Sequence, residues 1–181
     1  ADAAYDQFNL KASRSILSAL LTMDTLSNEL HCKALRRLAH QDWKYGRDYA
    51  LAKERLHKAD SLGSEPYKTW ILISRIERES YHFDEALYAA LKAREYAQSG
   101  SNINKAGTEY ANAVYAFSMD RLQKGQAMDT NLLTKTSQLL VKILERDAGL
   151  PTPSKRLLGI ALLNNDGANV LKAWQSYFQV Q

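Results

Sequence analysis

The chain of 181 residues is poor in the residues that bend, staple or break a polypeptide: one Cys, three Pro and eight Gly. A lone Cys32 excludes an internal disulfide and a Cys-based zinc site. Its default role is that of a small buried apolar residue. Gly and Pro together make up about 6% of the chain, roughly half the usual share. A β-sandwich or barrel needs many more turn residues than that. No apolar run approaches the ~20 residues that span a bilayer; the longest, 157–163, has seven. The phosphate-cradling patterns GxxxxGK and GxGxxG are missing, as are HExxH, GxSxG and SxxK.

What the sequence does contain is alanine and leucine, 24 and 26 residues respectively. Strong helix formers without breakers predict an all-α fold. Apolar residues make up 45% and charged residues 24%, the balance of a globular chain that buries a core. The few breakers divide the chain into about nine helices: 3–22, 25–44, 47–61, 64–80, 83–97, 103–123, 130–147, 152–164 and 168–179. Tyr5, Phe8, Ile16, Leu17, Leu20 and Leu21 supply the apolar face of the first. Asp24 or Thr25, Ser64, and Asp129 or Thr130 are the expected N-caps, with Pro66 in a first turn where its missing N–H costs nothing. No long linker interrupts them, so a single domain over 1–181 is expected. It comprises an N-terminal helix (1–24) and helix pairs over 25–63, 64–100, 101–149 and 150–181.

A shift of 34 positions brings two of these segments into correspondence. Tyr49 falls on Phe83, Ala52 on Ala86, Leu56 on Ala90 and Ala59 on Ala93; upstream, Leu38 falls on Leu72 and Ala39 on Ile73. Small side chains at fixed spacing let the second helix of a pair approach the first, and an aromatic fills the turn between them.

With these positions the sequence resembles the tetratricopeptide repeat family. The clearest unit is 66–98, with Trp70 at the first-helix aromatic position, Ile73 and Ser74 following, and Phe83, Ala86, Ala90 and Ala93 in the second helix. The unit before it has Arg36 in the aromatic position and His40 in the small one. Leu158-Gly159 suits the first helix of a later, degenerate unit. The resemblance implies an antiparallel helical-repeat stack with a right-handed superhelical sense. It also implies a concave groove, lined by the first helices, that holds a peptide or helix of a protein partner. Carried onto this chain, the groove positions are Arg37, Gln41, Lys44, Tyr45, Lys68, Ile71, Arg75, Arg78 and Glu79. Lys and Arg predominate among them, which favours an acidic partner, because guanidinium forks match carboxylates. The carboxylate clamp of some chaperone adaptors is not reproduced, since Gln41 and Leu72 stand where that clamp needs Asn.

Net charge is +4. Eight Lys and Arg against three Asp and Glu fall within 33–58, so the excess is concentrated in one expected hairpin. Trp43, Tyr45 and Tyr49 lie among these charges, but no nucleic-acid module accompanies them, so a nucleic-acid partner is not expected. Glu54 with His57, and Glu79 with His82, have the spacing of helical di-iron ligands. In repeat register the first pair faces outward and His82 falls in a turn, so neither metal nor cofactor is expected. Trp174, Tyr177 and Phe178 form an aromatic cluster suited to covering the last repeat.

The expected function is a non-enzymatic protein-interaction scaffold or adaptor. The alternative is a helical accessory or docking domain of a larger, periplasmic or secreted enzyme or sensor. The first residue is Ala1 rather than Met, so the address stands open between cytoplasmic and, if Ala1 is a processed start, periplasmic or secreted.

Overall fold

The computed structural model describes residues 2–23, 25–147 and 150–178. Side chains are described over 9–23, 25–147 and 150–175, so the expectations on Tyr5, Phe8, Asp24, Tyr177 and Phe178 lie outside the described residues.

Among the described residues there is no strand, and nine α-helices follow one another: α1 Asp2–Leu20, α2 Asn28–Gln41, α3 Tyr49–Ser61, α4 Pro66–Glu79, α5 Phe83–Tyr96, α6 Gly100–Gln123, α7 Thr130–Arg146, α8 Pro151–Leu163 and α9 Gly167–Phe178. A single π-helical turn, Asp42–Gly46, extends α2. The all-α expectation and the helix count therefore hold. Several local details differ. Ser27, not Asp24 or Thr25, caps α2, its Oγ accepting from Leu30 N at 3.4 Å. Ser64 does not cap α4, which instead starts from Glu65 in the left-handed region (φ 50°). Gly100 opens α6, three residues before the expected start at 103. Ile16, expected on an apolar face, is 63% exposed.

Each helix packs on its sequence neighbours, and α2, α4, α6 and α8 also touch one another in order. The result is a stack of hairpins α2/α3, α4/α5, α6/α7 and α8/α9, with α1 laid on α2. The turn inside each hairpin is built alike. One residue adopts the left-handed region: Arg47, Tyr81, Gly125 and Asn165. In three of them the next N–H reaches back five residues: His82 N to Glu77 O at 2.9 Å, Gln126 N to Arg121 O at 2.8 Å and Asp166 N to Ala161 O at 2.9 Å. This is the Schellman closure of a helix C-terminus. In the first hairpin Asp48 N reaches six back, to Asp42 O at 3.0 Å, because the π turn inserts one residue. Only one of the four turn residues is glycine, so turn chemistry alone does not flag them.

The core runs between hairpins as linked clusters. Ala52, Leu56, Ala59, Ala86, Ala90 and Ala93, the positions related by the 34-residue shift, are all fully buried. Trp43, Ile73 and Ile76 join α2, α3 and α4, while Val114, Leu140, Leu157 and Ile160 join α6, α7 and α8. Each fully buried Leu or Ile contributes about 1.5–3 kcal/mol relative to exposure. Because the core lies between successive hairpins, the face shared by the even-numbered helices is left to polar and charged side chains.

Candidate functional site

Two clefts occupy that face. The first, about 580 Å³, lies between α2 and α4 and reaches Lys105 of α6. The second, about 510 Å³, lies between α6 and the α7–α8 junction and reaches Arg75 of α4. Arg75 and Lys105 line both, so the clefts form one groove across four helices.

The floor of the first cleft is apolar: Tyr67 is 6% exposed, Ile71 8%, and Leu72 is half-buried beside them. Its walls are cationic, carrying Lys33, Arg36, Arg37, Lys68, Arg75 and Lys105 against one carboxylate, Glu65. Arg36 is buried. It donates from Nη1 to Ser64 O at 2.7 Å and from Nη2 to Glu65 Oε2 at 3.1 Å, so it holds the left-handed entry to α4. Lys68 also pairs with Glu65. These cations hold the Glu65 carboxyl below its ordinary range, the Lys68 hydrogen bond contributing most. His40 lies edge-on to Trp43, with centroids 5.4 Å apart. Its pKa is lowered from 6.5, first by partial burial and then by the neighbouring charges of Lys44, Arg75 and Arg37.

Where α4 meets α6, Glu109 is 1% exposed and accepts from Arg75 Nε and from Arg78 Nη2, each at 3.1 Å, with Ser74 Oγ at 3.4 Å. Burying a carboxylate without such partners is costly. Arg156 of α8 stands over the Tyr115 ring, 4.2 Å from its centroid, and donates from Nε to Asn112 Oδ1 at 2.8 Å. Burial lowers the Arg156 pKa, and Arg78 nearby lowers it further. Asn104, which lines the second cleft, has a buried Oδ1 with no hydrogen-bond partner among the described residues.

Of the residues read from the sequence as groove positions, Arg37, Lys68, Ile71 and Arg75 come together in the first cleft. The others lie elsewhere. Gln41 is turned towards α1, its Nε2 donating to Ser13 Oγ at 3.0 Å. Lys44 pairs with Glu79 at 2.8 Å and covers the Trp43 ring. Tyr45 sits at the end of the π turn, 65% exposed. Arg78 is bound to Glu109 beneath the groove. Glu79 is held by Lys44 and by Trp43 Nε1, 2.8 Å from its Oε2; burial pushes its carboxyl up, but these hydrogen bonds outweigh it and the pKa is lowered.

Lys105 and Asn104 were missed, although the 34-residue step that relates Arg37 to Ile71 continues from Ile71 to Lys105 and from Arg75 to Glu109. The charge excess is also redistributed. Of the eight cations in 33–58, Lys44, Lys53 and Arg55 are paired with Glu79, Glu77 and Asp42, and only Lys33, Arg36 and Arg37 reach the groove. The groove takes its remaining cations from α4 and α6. Glu54 and His57 are exposed on α3, and His82 faces Glu77 at 2.9 Å across a turn. No cluster of three or more His, Cys, Asp or Glu side chains suited to a metal ion is gathered among the described residues. No described helix is long and apolar enough to cross a membrane.

No protein-family model matches the chain, and no curated protein matches it.

Proposed function

We propose that the protein is a non-enzymatic interaction scaffold of the tetratricopeptide kind, holding a peptide or helix of another protein in the groove formed by α2, α4, α6 and α8. The observation that carries this reading is the continuity of the two clefts through Arg75 and Lys105, over an apolar floor of Tyr67, Ile71 and Leu72. An apolar floor with a polar rim is the anatomy of a protein-binding surface. Three carboxylates line the groove; Glu65 and Glu109 are held by cationic side chains, and Asp147 stands apart from them at the α7–α8 junction, an arrangement that favours a binding role over proton transfer. The right-handed superhelical sense belongs to the same proposal.

The test is site-specific photo-cross-linking in the native source, with the photoreactive residue placed at Lys68 or Lys105 in the groove, or at Lys58 on α3. Cross-links from the two groove positions to one segment of another protein are expected. Cross-links confined to Lys58 would overturn the reading.

A second reading, a docking domain of a larger enzyme or sensor, draws on Leu162, Leu171 and Trp174, which are 63%, 59% and 53% exposed on the last hairpin. Exposed large apolar side chains, with Leu171 and Trp174 one turn apart on α9, favour contact with a neighbouring domain.

A further inference from the structure

We infer that the segment seated in the groove is acidic, with a large apolar side chain flanked on both sides by carboxylates. This rests on the scaffold reading above and names the class of partner.

The first argument is charge. Six Lys and Arg side chains from three helices line the first cleft against Glu65 alone. Internal pairing does not satisfy them all: Arg37 and Lys105 make no ion pair or hydrogen bond among the described residues. Cations spread over α2, α4 and α6 answer several carboxylates along a chain better than one terminal carboxylate.

The second argument is orientation. Arg75 spends only its Nε on Glu109, and its Nη edge makes no hydrogen bond to the described residues. Its side chain is 46% exposed, while Glu109 beneath it is 1% exposed. The buried carboxylate thus fixes the guanidinium plane, and the free edge is presented in the wall common to both clefts. A fixed, planar pair of N–H donors is the geometry that grips a carboxylate through both oxygens. Glu109 is therefore a positioning residue for Arg75.

The third argument is the floor. Tyr67, Ile71 and Leu72 offer apolar surface between the cations, so the occupant needs an apolar side chain between its acids. Single-stranded nucleic acid would need displayed aromatic faces for stacking. Tyr67 is packed at 6% exposure and does not display one.

The probe is a fluorescent peptide of repeated Asp-Asp-Leu with an amidated C-terminus, titrated with the full chain and read by anisotropy. Arg37→Glu with Lys105→Glu is the main variant, because both side chains are exposed and unpaired, so the helical circular dichroism stays unchanged. We expect it to weaken binding about tenfold or more, with added salt weakening the wild-type complex. Replacing Asp by Asn, or Leu by Ala, in the peptide should weaken it comparably. Glu109→Gln should weaken it while a distant variant, Lys58→Glu, does not. Equal binding of the Asn peptide, or no loss in the double variant, overturns the inference. So does tighter binding of single-stranded RNA that displaces the peptide. A groove-cross-linked partner segment without acidic residues also overturns it, yet leaves the scaffold reading standing; cross-links that avoid the groove overturn both.

Discussion

Glu109 and Arg75 stand 34 positions apart and meet at 3.1 Å where α4 crosses α6, the carboxylate buried and the guanidinium half in water. Arg78 donates to the other oxygen of the same carboxylate. Removing one member of a buried pair leaves a charge without compensation, at about 3–5 kcal/mol in a dry site. Here both arginines reach solvent, which lowers the cost. Glu109→Ala is expected to destabilise by about 2 kcal/mol, read from urea unfolding. Replacing both Arg75 and Arg78 by Glu would gather three carboxylates at one point and is expected to cost more than Glu109→Ala. If the double variant proves as stable as wild type, the pair has been given too large a role. Groove binding is for that reason better tested at Arg37 and Lys105.

Arg36 occupies the place where the repeat pattern carries an aromatic, and it does different work there. Its Nη1 donates to Ser64 O at 2.7 Å, closing the turn into α4, where the side chain of the N-cap residue Glu65 caps no backbone N–H of the helix. Arg36→Met keeps much of the packing and removes the donors. A loss of about 1–3 kcal/mol is expected, since a part-buried carbonyl loses its partner and Glu65 loses a cation. Hydrogen exchange should quicken in the first turn of α4 before the rest of the stack. Uniform exchange across α4 would contradict this capping role.

Much of this architecture is legible in the chain, and what is not has specific causes. Alanine spacing and scattered breakers mark the helices, because packing distance and backbone freedom depend directly on side-chain size. The hairpin turns at Arg47, Tyr81 and Asn165 are hidden, since their left-handed residues are not glycine and backbone bonds reaching back five or six residues, not local propensity, hold them. The groove is half visible. Arg37, Lys68, Ile71 and Arg75 follow from the resemblance to the repeat family, carried over position by position. Gln41 and Lys44 follow from the same resemblance, but α1 and Glu79 capture them through contacts 28 and 35 residues apart, which no local pattern encodes. Lys105 was readable by one further step of 34, which the unusual length of α6 obscured.

His40 makes the protein's response to acid calculable in sign. Its pKa in the folded protein lies below the ordinary 6.5, through partial burial and the charges of Lys44, Arg75 and Arg37. As pH falls, the unfolded chain takes up this proton before the folded one. The stabilisation is complete above about pH 6.5 and is lost as pH drops through the folded value. The Tm of wild type should therefore fall more steeply than that of His40→Gln between pH 7 and pH 5. Parallel curves would show that His40 carries no linkage.

Two glycines separate helix propensity from close packing. A Cβ on Gly107 would come 2.9 Å from Ile143 Cδ1, the movable end of a flexible side chain. A Cβ on Gly159 would come 2.7 Å from Cε2 and 3.2 Å from Cδ2 of Tyr115, a rigid ring that also carries Arg156 on its face. Both glycines lie inside helices, where Ala is favoured by about 1 kcal/mol. At Gly107 this gain offsets a small shift of Ile143, so Gly107→Ala should be close to neutral. At Gly159 the ring cannot yield without disturbing the α6–α8 contact and the Arg156–Asn112 bond. Overpacking of this kind costs about 1–3 kcal/mol. Gly159→Ala is expected to lower the unfolding midpoint in urea, and Gly159→Ala with Tyr115→Leu to recover part of the loss. A midpoint raised by Gly159→Ala alone would mean that Tyr115 moves freely and that propensity outweighs packing at this crossing.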